Sequence, residues 1–142
     1  MKKLRVLFVC IGNRARSQMA EGFLRHFAGR QFEVYSAGTM PKGLSPITVE
    51  VMREVGIDVS AHRSKSVEEF VGEDFDYVIT VCDVARAACP RFDRSRRRLH
   101  WSVTDPAELE ASGVVSIEAF RAARDELRAR VEEFVGGEPQ LD

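Results

Sequence analysis

The sequence predicts an α/β fold in which one four-stranded parallel sheet, with strand order 2-1-3-4, is flanked by helices. Three observations indicate it. Short apolar runs alternate along the chain with segments of helical periodicity. The first run, "LRVLFVC", is nearly continuous in apolar residues, as is typical of a central parallel strand covered on both faces. The chain of 142 residues has no Gly/Ser/Pro-rich linker, so we expect a single domain over residues 1–142.

The first strand is expected to end on Cys10 and to lead into a helix. A short turn follows Cys10, because Gly12 and Asn13 both tolerate positive φ. The next segment, "SQMAEGFLRHF", has apolar residues at the spacing of one helix face. These are Met19, Phe23 and Phe27, which we expect in the core.

The rest of the chain continues the alternation of strands and helices. We expect a strand, a helix that Pro46 begins and Gly56 ends, two more strands and a final amphipathic helix. In order, these segments are "QFEVYSAG", "PITVEVMREVG", "FDYVITVC", "RRLHW" and "SIEAFRAARDELRARVEEFV". Right-handed crossovers between the strands give a flavodoxin-like sheet. Ligands of such sheets collect at the carboxyl ends of the strands, where Cys10 and Cys82 are expected.

The charge balance argues against nucleic-acid and membrane partners. The formal net charge is −1, and no apolar run approaches the roughly 20 residues of a membrane-spanning helix. The start "MKKLRVLFV" leads into a polar loop without a small-residue cleavage site, so we expect a cytoplasmic protein. The basic run "RFDRSRRR" has no accompanying aromatic set and is interpreted as a solvated face.

The segment between Cys10 and Ser17 has a spacing that suits oxyanion chemistry. Successive backbone N–H groups of a tight loop at a helix N-terminus can surround a tetrahedral oxyanion, and the same field favours a nucleophilic thiolate at Cys10. Ser17 is the expected hydroxyl donor to that thiolate, and Arg16 can hold two oxygens of the anion. The alternative is a buried strand-end cysteine beside a surface arginine. The candidate oxyanion-binding residues are Cys10, Ile11, Gly12, Asn13, Arg14, Ala15, Arg16 and Ser17.

This signature of Cys, five residues, Arg and Ser at the end of the first strand resembles the low-molecular-weight protein tyrosine phosphatase superfamily, phosphatase-I in fold. Within it, the segments "RSQMAEG", "VITVCDVARAACP" and "HWSVTDPA" resemble the thioredoxin-coupled arsenate reductases over essentially the full chain. The pair Cys82 and Cys89 discriminates best, because the phosphatases need neither thiol. Some of these reductases carry a further cysteine where this chain has Ala15. By spacing alone the pair could be incidental, and no CxxC or HxxxH spacing supports a zinc site.

The resemblance implies a reaction that three thiols carry out without a metal or organic cofactor. Cys10 attacks arsenate, Cys82 then attacks the Cys10 sulfur and releases arsenite, and Cys89 moves the disulfide to Cys82 for reduction by thioredoxin. Asp105 is the implied general acid, although an Asp-Pro pair by itself is usually a helix start. Phosphate or sulfate would be analogues of arsenate in the loop, and we expect the protein to act as a monomer.

The resemblance also implies a potassium ion near the loop, as in several of these reductases. Asn13, Glu21 and Ser36 match its protein ligands, but Arg63 and Lys65 bring cations to the other two matching positions. We expect one of these two cationic groups to take the place of the ion. The three histidines of the chain are expected to be structural or surface residues.

Two other functions of the loop chemistry stay open. The chain could be a low-molecular-weight phosphatase, although "DPAEL" lacks the tyrosines that usually follow the Asp-Pro of those enzymes, or a non-catalytic oxyanion-binding module.

We expect residues 82–92 to be partly helical in the reduced protein. A helix would hold the Cα atoms of Cys82 and Cys89 roughly 10 Å apart, whereas a disulfide requires less than about 7 Å, so oxidation would unfold this segment.

Overall fold

The computed structural model describes residues 2–82, 97–104, 106 and 116–137. Cys89, Asp105 and the segment from residue 83 to residue 92, on which several expectations depend, lie outside these ranges. The described strands are β1 (Leu4–Cys10), β2 (Phe32–Gly38), β3 (Tyr77–Thr80) and β4 (Arg97–His100). The helices are α1 (Arg16–Ala28), α2 (Pro46–Glu54) and α3 (Ile117–Gly137), with a 3-10 helix at Val67–Phe70.

The four strands form one parallel sheet in the order β2-β1-β3-β4, which confirms the predicted order. β1 is central, and its residues from Val6 to Cys10 are all buried, as its apolar run predicts. In the register of the sheet, Cys10 pairs with Gly38 of β2, and Val9 pairs with Thr80 of β3. The carboxyl ends of these three strands therefore meet at one edge, where the loop after β1 begins.

The helices bury most of the apolar positions that their periodicity predicts, although Phe27 of α1, which was expected in the core, is only partly buried at its edge. Met19 and Phe23 of α1 are fully buried, and so are Phe120 and Leu127 of α3, against which α1 packs. Burial of each such side chain contributes on the order of 1.5–3 kcal/mol relative to exposure, which fixes α1 firmly behind the loop. None of the helices in the described part of the chain is long and apolar enough to cross a membrane.

Two local features differ from the sequence prediction. β3 ends at Thr80, two residues before the expected end at Cys82. Val81 still donates its N–H to the carbonyl of Val9 at 2.9 Å, so the pairing with β1 extends by one hydrogen bond beyond Thr80 and stops where β1 turns into its loop after Cys10. The 3-10 helix at Val67–Phe70 was not predicted. It is too short to show a periodicity, and the Ser66 hydroxyl caps it.

Candidate active site

The loop between β1 and α1 holds the candidate nucleophile. Cys10 is the last residue of β1 and is buried, while Arg16 is the first residue of α1. Ala15 occupies the N-cap position and supplies no capping side chain to the first turn of α1. The N-terminal N–H groups of α1 are thus directed to the loop without a side-chain acceptor from the cap, which is the arrangement that suits an anion.

The segment after β2 fixes the direction of the peptide groups in this loop. The carbonyl oxygens of Cys10, Ile11 and Gly12 accept backbone N–H groups from residues 39, 40 and 42, at 3.0, 2.8 and 2.9 Å respectively. Because these carbonyls face the neighbouring segment, the N–H groups on the opposite side of the peptides face the inside of the loop. A cradle of N–H donors follows from this pairing.

Two residues with special backbone requirements shape the turn. Asn13 has φ of 47°, in the left-handed region that asparagine tolerates better than most residues. Gly38 of β2 lies directly against the loop: a Cβ atom on it would be 2.5 Å from the carbonyl oxygen of Ile11 and 2.8 Å from the nitrogen of Asn13. Only glycine fits there, because both opposing atoms belong to the backbone.

The sulfur of Cys10 receives two hydrogen-bond donors. The N–H of Asn13 donates to Cys10 Sγ at 3.1 Å, and Ser17 Oγ lies 2.8 Å from the same sulfur. Ser17 Oγ itself accepts from Asn13 Nδ2 at 2.7 Å, so the hydroxyl proton of Ser17 is left for the sulfur. Both contacts converge on the sulfur, which is the arrangement that a nucleophilic cysteine requires.

Asn13 organises the loop through its side-chain amide, which is fully buried. The amide nitrogen donates to Ser17 Oγ and, at 3.0 Å, to Ser36 Oγ. The amide oxygen accepts from Gln18 Nε2 at 3.0 Å and from the N–H of Lys65 at 2.8 Å. All four hydrogen-bonding positions of the amide are used, so Asn13 links the loop to β2, to α1 and to the segment before the 3-10 helix.

A backbone carbonyl just after β4 holds the Arg16 side chain in place. This side chain is buried, and its NH1 donates to the carbonyl oxygen of Val103, just after β4, at 3.0 Å. This bond fixes the guanidinium group at the edge of the sheet where the loop lies. The sequence contains no signal for it, because any residue could offer a carbonyl and Val103 lies 87 positions away.

Cys82 lies at the same edge of the sheet as Cys10. It follows β3, the neighbour of β1, and both cysteines are buried and unbridged. Adjacent strands are separated by about 4.8 Å, so the two thiols belong to one region. The other two residues expected at the site, Cys89 and Asp105, lie outside the described residues.

The residues behind the loop do not fit the potassium ion that the resemblance implies. Glu21 Oε1 accepts the hydroxyl of Ser36 at 2.5 Å, and Glu21 Oε2 lies 2.7 Å from NH2 of Arg25. The amide oxygen of Asn13 already accepts two N–H donors. The oxygens that would bind a cation are engaged by donors and by a cationic side chain, which is not the donor set of a potassium site.

Arg63 and Lys65, the two cationic residues expected at the place of the potassium ion, make other contacts. The guanidinium group of Arg63 pairs with Glu69 at 2.8 Å, and the ammonium group of Lys65 donates to the carbonyl of Arg63 at 2.7 Å. Burial lowers the pKa of Lys65 from its ordinary value of 10.5. Among the described residues, the arginine paired with Glu21 is Arg25, which the sequence analysis did not single out. Its spacing of four residues from Glu21 on one helix was the available signal.

Comparison with known proteins places this site in a family. The family model described as "Low molecular weight phosphotyrosine protein phosphatase" matches residues 5–141. The chain belongs to this phosphatase family. One curated relative, an arsenate reductase of Shouchella clausii, is 40% identical over 134 residues, which cover 94% of this chain and 96% of the relative.

Two solved structures show the same likeness. An arsenate reductase in the phosphate binding state has a TM-score of 0.82 at 33% identity, covering 94% of this chain and 98% of the other. The thioredoxin-dependent arsenate reductase of Corynebacterium glutamicum has a TM-score of 0.73 at 30% identity, covering 95% of this chain and 61% of the other. The resemblance inferred from sequence, to the phosphatase superfamily and to its arsenate reductases, is confirmed.

Proposed function

We propose that this protein reduces arsenate to arsenite by a thiol relay that begins at Cys10. The observation that carries the proposal is the pair of donors on the Cys10 sulfur, within a loop whose N–H groups suit a tetrahedral oxyanion. The similarity to proteins named arsenate reductases selects arsenate among such anions.

The first step forms a bond between sulfur and arsenic. Arsenate lies in the loop between residues 10 and 17, with its oxygens on backbone N–H groups and on the guanidinium group of Arg16. The Cys10 thiolate attacks the arsenic atom, and one arsenic–oxygen bond breaks. That oxygen leaves as water after accepting a proton, for which we propose Asp105 as the acid.

The second step moves two electrons to arsenic. The Cys82 thiolate attacks the Cys10 sulfur, and the electron pair of the sulfur–arsenic bond stays with arsenic, which leaves as arsenite. Cys89 then attacks Cys82, releases the Cys10 thiolate and leaves a disulfide between Cys82 and Cys89. A dithiol protein of the thioredoxin type reduces this disulfide and restores the three thiols.

This cycle sets the conditions under which the protein works. All three thiols belong to one chain, so a monomer is sufficient. Free thiols persist in a reducing compartment such as the cytoplasm. The electrons come from the thiols and the external dithiol, so no other cofactor takes part.

A phosphatase activity is the second candidate. The same loop accommodates phosphate, and the family model that matches the chain is that of a phosphatase. Cys10 would then attack phosphorus and displace an alcohol, and water would release phosphate from the Cys10 sulfur, with no role for Cys82. A non-catalytic oxyanion-binding module is the third possibility.

One pair of assays separates these functions. The protein is tested for arsenate-dependent NADPH oxidation with thioredoxin and thioredoxin reductase, and in parallel for hydrolysis of p-nitrophenyl phosphate. Sustained arsenate turnover that Cys10→Ser abolishes supports the reductase. Hydrolysis of the phosphate ester without arsenate turnover indicates a phosphatase, and binding of arsenate without either reaction indicates a binding module.

A further inference from the structure

Arg25 closes a ring of polar contacts behind the loop, and its NH2 also donates to the carbonyl of Val34 at 2.7 Å. Its NH2 lies 2.7 Å from Glu21 Oε2, and its NH1 lies 3.3 Å from Nε2 of His62. Glu21 is only 5% exposed, although Arg25 itself is half exposed. An exposed pair of residues four apart on a helix usually contributes little, but here the carboxylate is buried and has a second bond into the site.

The two residues that Arg25 contacts lead to the same place by separate routes. Glu21 Oε1 accepts the Ser36 hydroxyl, and Ser36 Oγ accepts from Asn13 Nδ2 at 3.0 Å. On the other route, His62 Nδ1 lies 3.0 Å from Gln18 Oε1, and Gln18 Nε2 donates to the Asn13 side chain at 3.0 Å and to its carbonyl at 3.1 Å. Both routes end on Asn13, the residue that donates to the Cys10 sulfur.

The donors and acceptors of the ring fit a neutral imidazole at His62, whose Nε2 also lies 4.0 Å from Oε2 of Glu21. The nitrogen of the Gln18 amide donates to Asn13, so its oxygen faces His62 and requires a proton on Nδ1. Nε2 of His62 is then an acceptor, and it faces an N–H of Arg25. Burial lowers the pKa of His62 below its ordinary value of 6.5, against the opposing field of Glu21. Among the other charged groups that act on this imidazole, Arg25 and Lys65 lower its pKa and Asp58 raises it.

We propose that Arg25 is a positioning residue for the reactive loop. As a cation built into the chain, it neutralises Glu21 and anchors both routes to Asn13, so the loop keeps its geometry without an added monovalent cation. The effect on arsenate turnover rests on the proposed function, whereas the effects on the Cys10 thiol and on stability do not.

The test compares two arginines that each pair with a glutamate, the buried Glu21 in one case and the exposed Glu54 in the other. Arg25→Met removes the cation of the ring, and Arg121→Met removes an arginine of α3 that lies 2.7 Å from Glu54, remote from the loop. For each full-length reduced protein, one measures the thermal midpoint and the rate at which iodoacetamide alkylates Cys10, with the Cys10 peptide quantified by mass spectrometry. Arg25→Gln, which keeps a donor but no charge, replaces the methionine variant if that variant does not fold.

We expect both methionine variants to lose thermal stability, but only Arg25→Met to alkylate Cys10 more slowly, by about three- to ten-fold, with Arg25→Lys recovering most of the rate. We also expect the wild-type rate to be equal in potassium chloride and in sodium chloride of matched ionic strength. An unchanged alkylation rate in Arg25→Met, or a wild-type rate that potassium raises over sodium, would overturn the proposal. Neither measurement needs arsenate, so failure of the proposed function would be seen separately.

Discussion

Ser17 Oγ lies 2.8 Å from Cys10 Sγ and accepts from the amide nitrogen of Asn13, which leaves its hydroxyl proton free to be donated to the sulfur. A hydrogen bond between Ser17 and Cys10 therefore connects the first turn of α1 to the end of β1. This hydroxyl belongs to the chain itself, so its contact with the sulfur does not depend on a bound ligand.

The Ser17 hydroxyl is expected to contribute measurably to the reactivity of Cys10. Ser17→Ala should slow alkylation of Cys10 by iodoacetamide at neutral pH by about ten-fold or more, since a hydrogen bond to a charged group contributes about 1.5–3 kcal/mol. Ser60→Ala, at an exposed position in the turn after α2, is the control and should leave the rate unchanged. Equal rates in the two variants would mean that the N–H of Asn13 alone stabilises the thiolate.

The order of the thiol relay predicts a stalled enzyme when its last thiol is removed. Cys89→Ala should release about one arsenite per protein and then stop, because the disulfide between Cys10 and Cys82 has no internal thiol to resolve it. Arsenite release is measured in a single-turnover experiment, and the disulfide is located by peptide mass spectrometry. Continued turnover of this variant with thioredoxin would contradict the assigned order.

Gly38 is expected to be indispensable to the loop. Gly38→Ala would force a methyl group against the backbone of Ile11 and Asn13, which should reduce the free energy of unfolding by about 1–3 kcal/mol and slow alkylation of Cys10. Gly136→Ala is the matched control, because a Cβ atom on that helical glycine meets nothing within 4 Å. Urea unfolding measures both variants. A Gly38→Ala protein as stable as the wild type would show that the loop can move away from β2.

The lowered pKa of Glu54 predicts that the folded protein loses stability in acid. The guanidinium groups of Arg121, first, and Arg124 lower the pKa of Glu54 to about 2 from its ordinary 4.5. A carboxyl whose pKa falls on folding stabilises the folded state above pH 4.5, and this contribution is lost as the pH falls through 2. Glu54→Gln should therefore be less stable than the wild type at neutral pH.

Glu54→Gln should also lose part of the pH dependence of the free energy of unfolding. Between pH 4.5 and 2, the free energy of unfolding of this variant should fall less steeply with pH than that of the wild type. The difference in slope should correspond to at most one proton taken up on unfolding. Glu50→Gln, an exposed change on the same helix, also removes one charge and is the control. Urea unfolding at several pH values measures all three proteins, and parallel slopes for wild type and Glu54→Gln would contradict the assignment.

Local sequence patterns determined most of the secondary structure and the centre of the site. The apolar run of β1 and the faces of α1 and α3 follow from side-chain periodicity, which a hydrophobic core enforces wherever the element is long enough. The spacing of Cys10, Arg16 and Ser17 predicted a loop between strand and helix, because three neighbouring segments of the chain each carried a local signal for it.

Tertiary structure alone decided how that loop is held. The contact of His62 with Gln18 joins residues 44 positions apart, the bond from Arg16 to the Val103 carbonyl spans 87 positions, and the close approach of Gly38 to Ile11 depends on the register of two strands. The end of β3 at Thr80 likewise depends on where its neighbour β1 turns away. Such contacts arise when the sheet assembles and brings distant residues to one edge. A sequence pattern reports what each segment does by itself and contains no information on which atoms of other segments will face it.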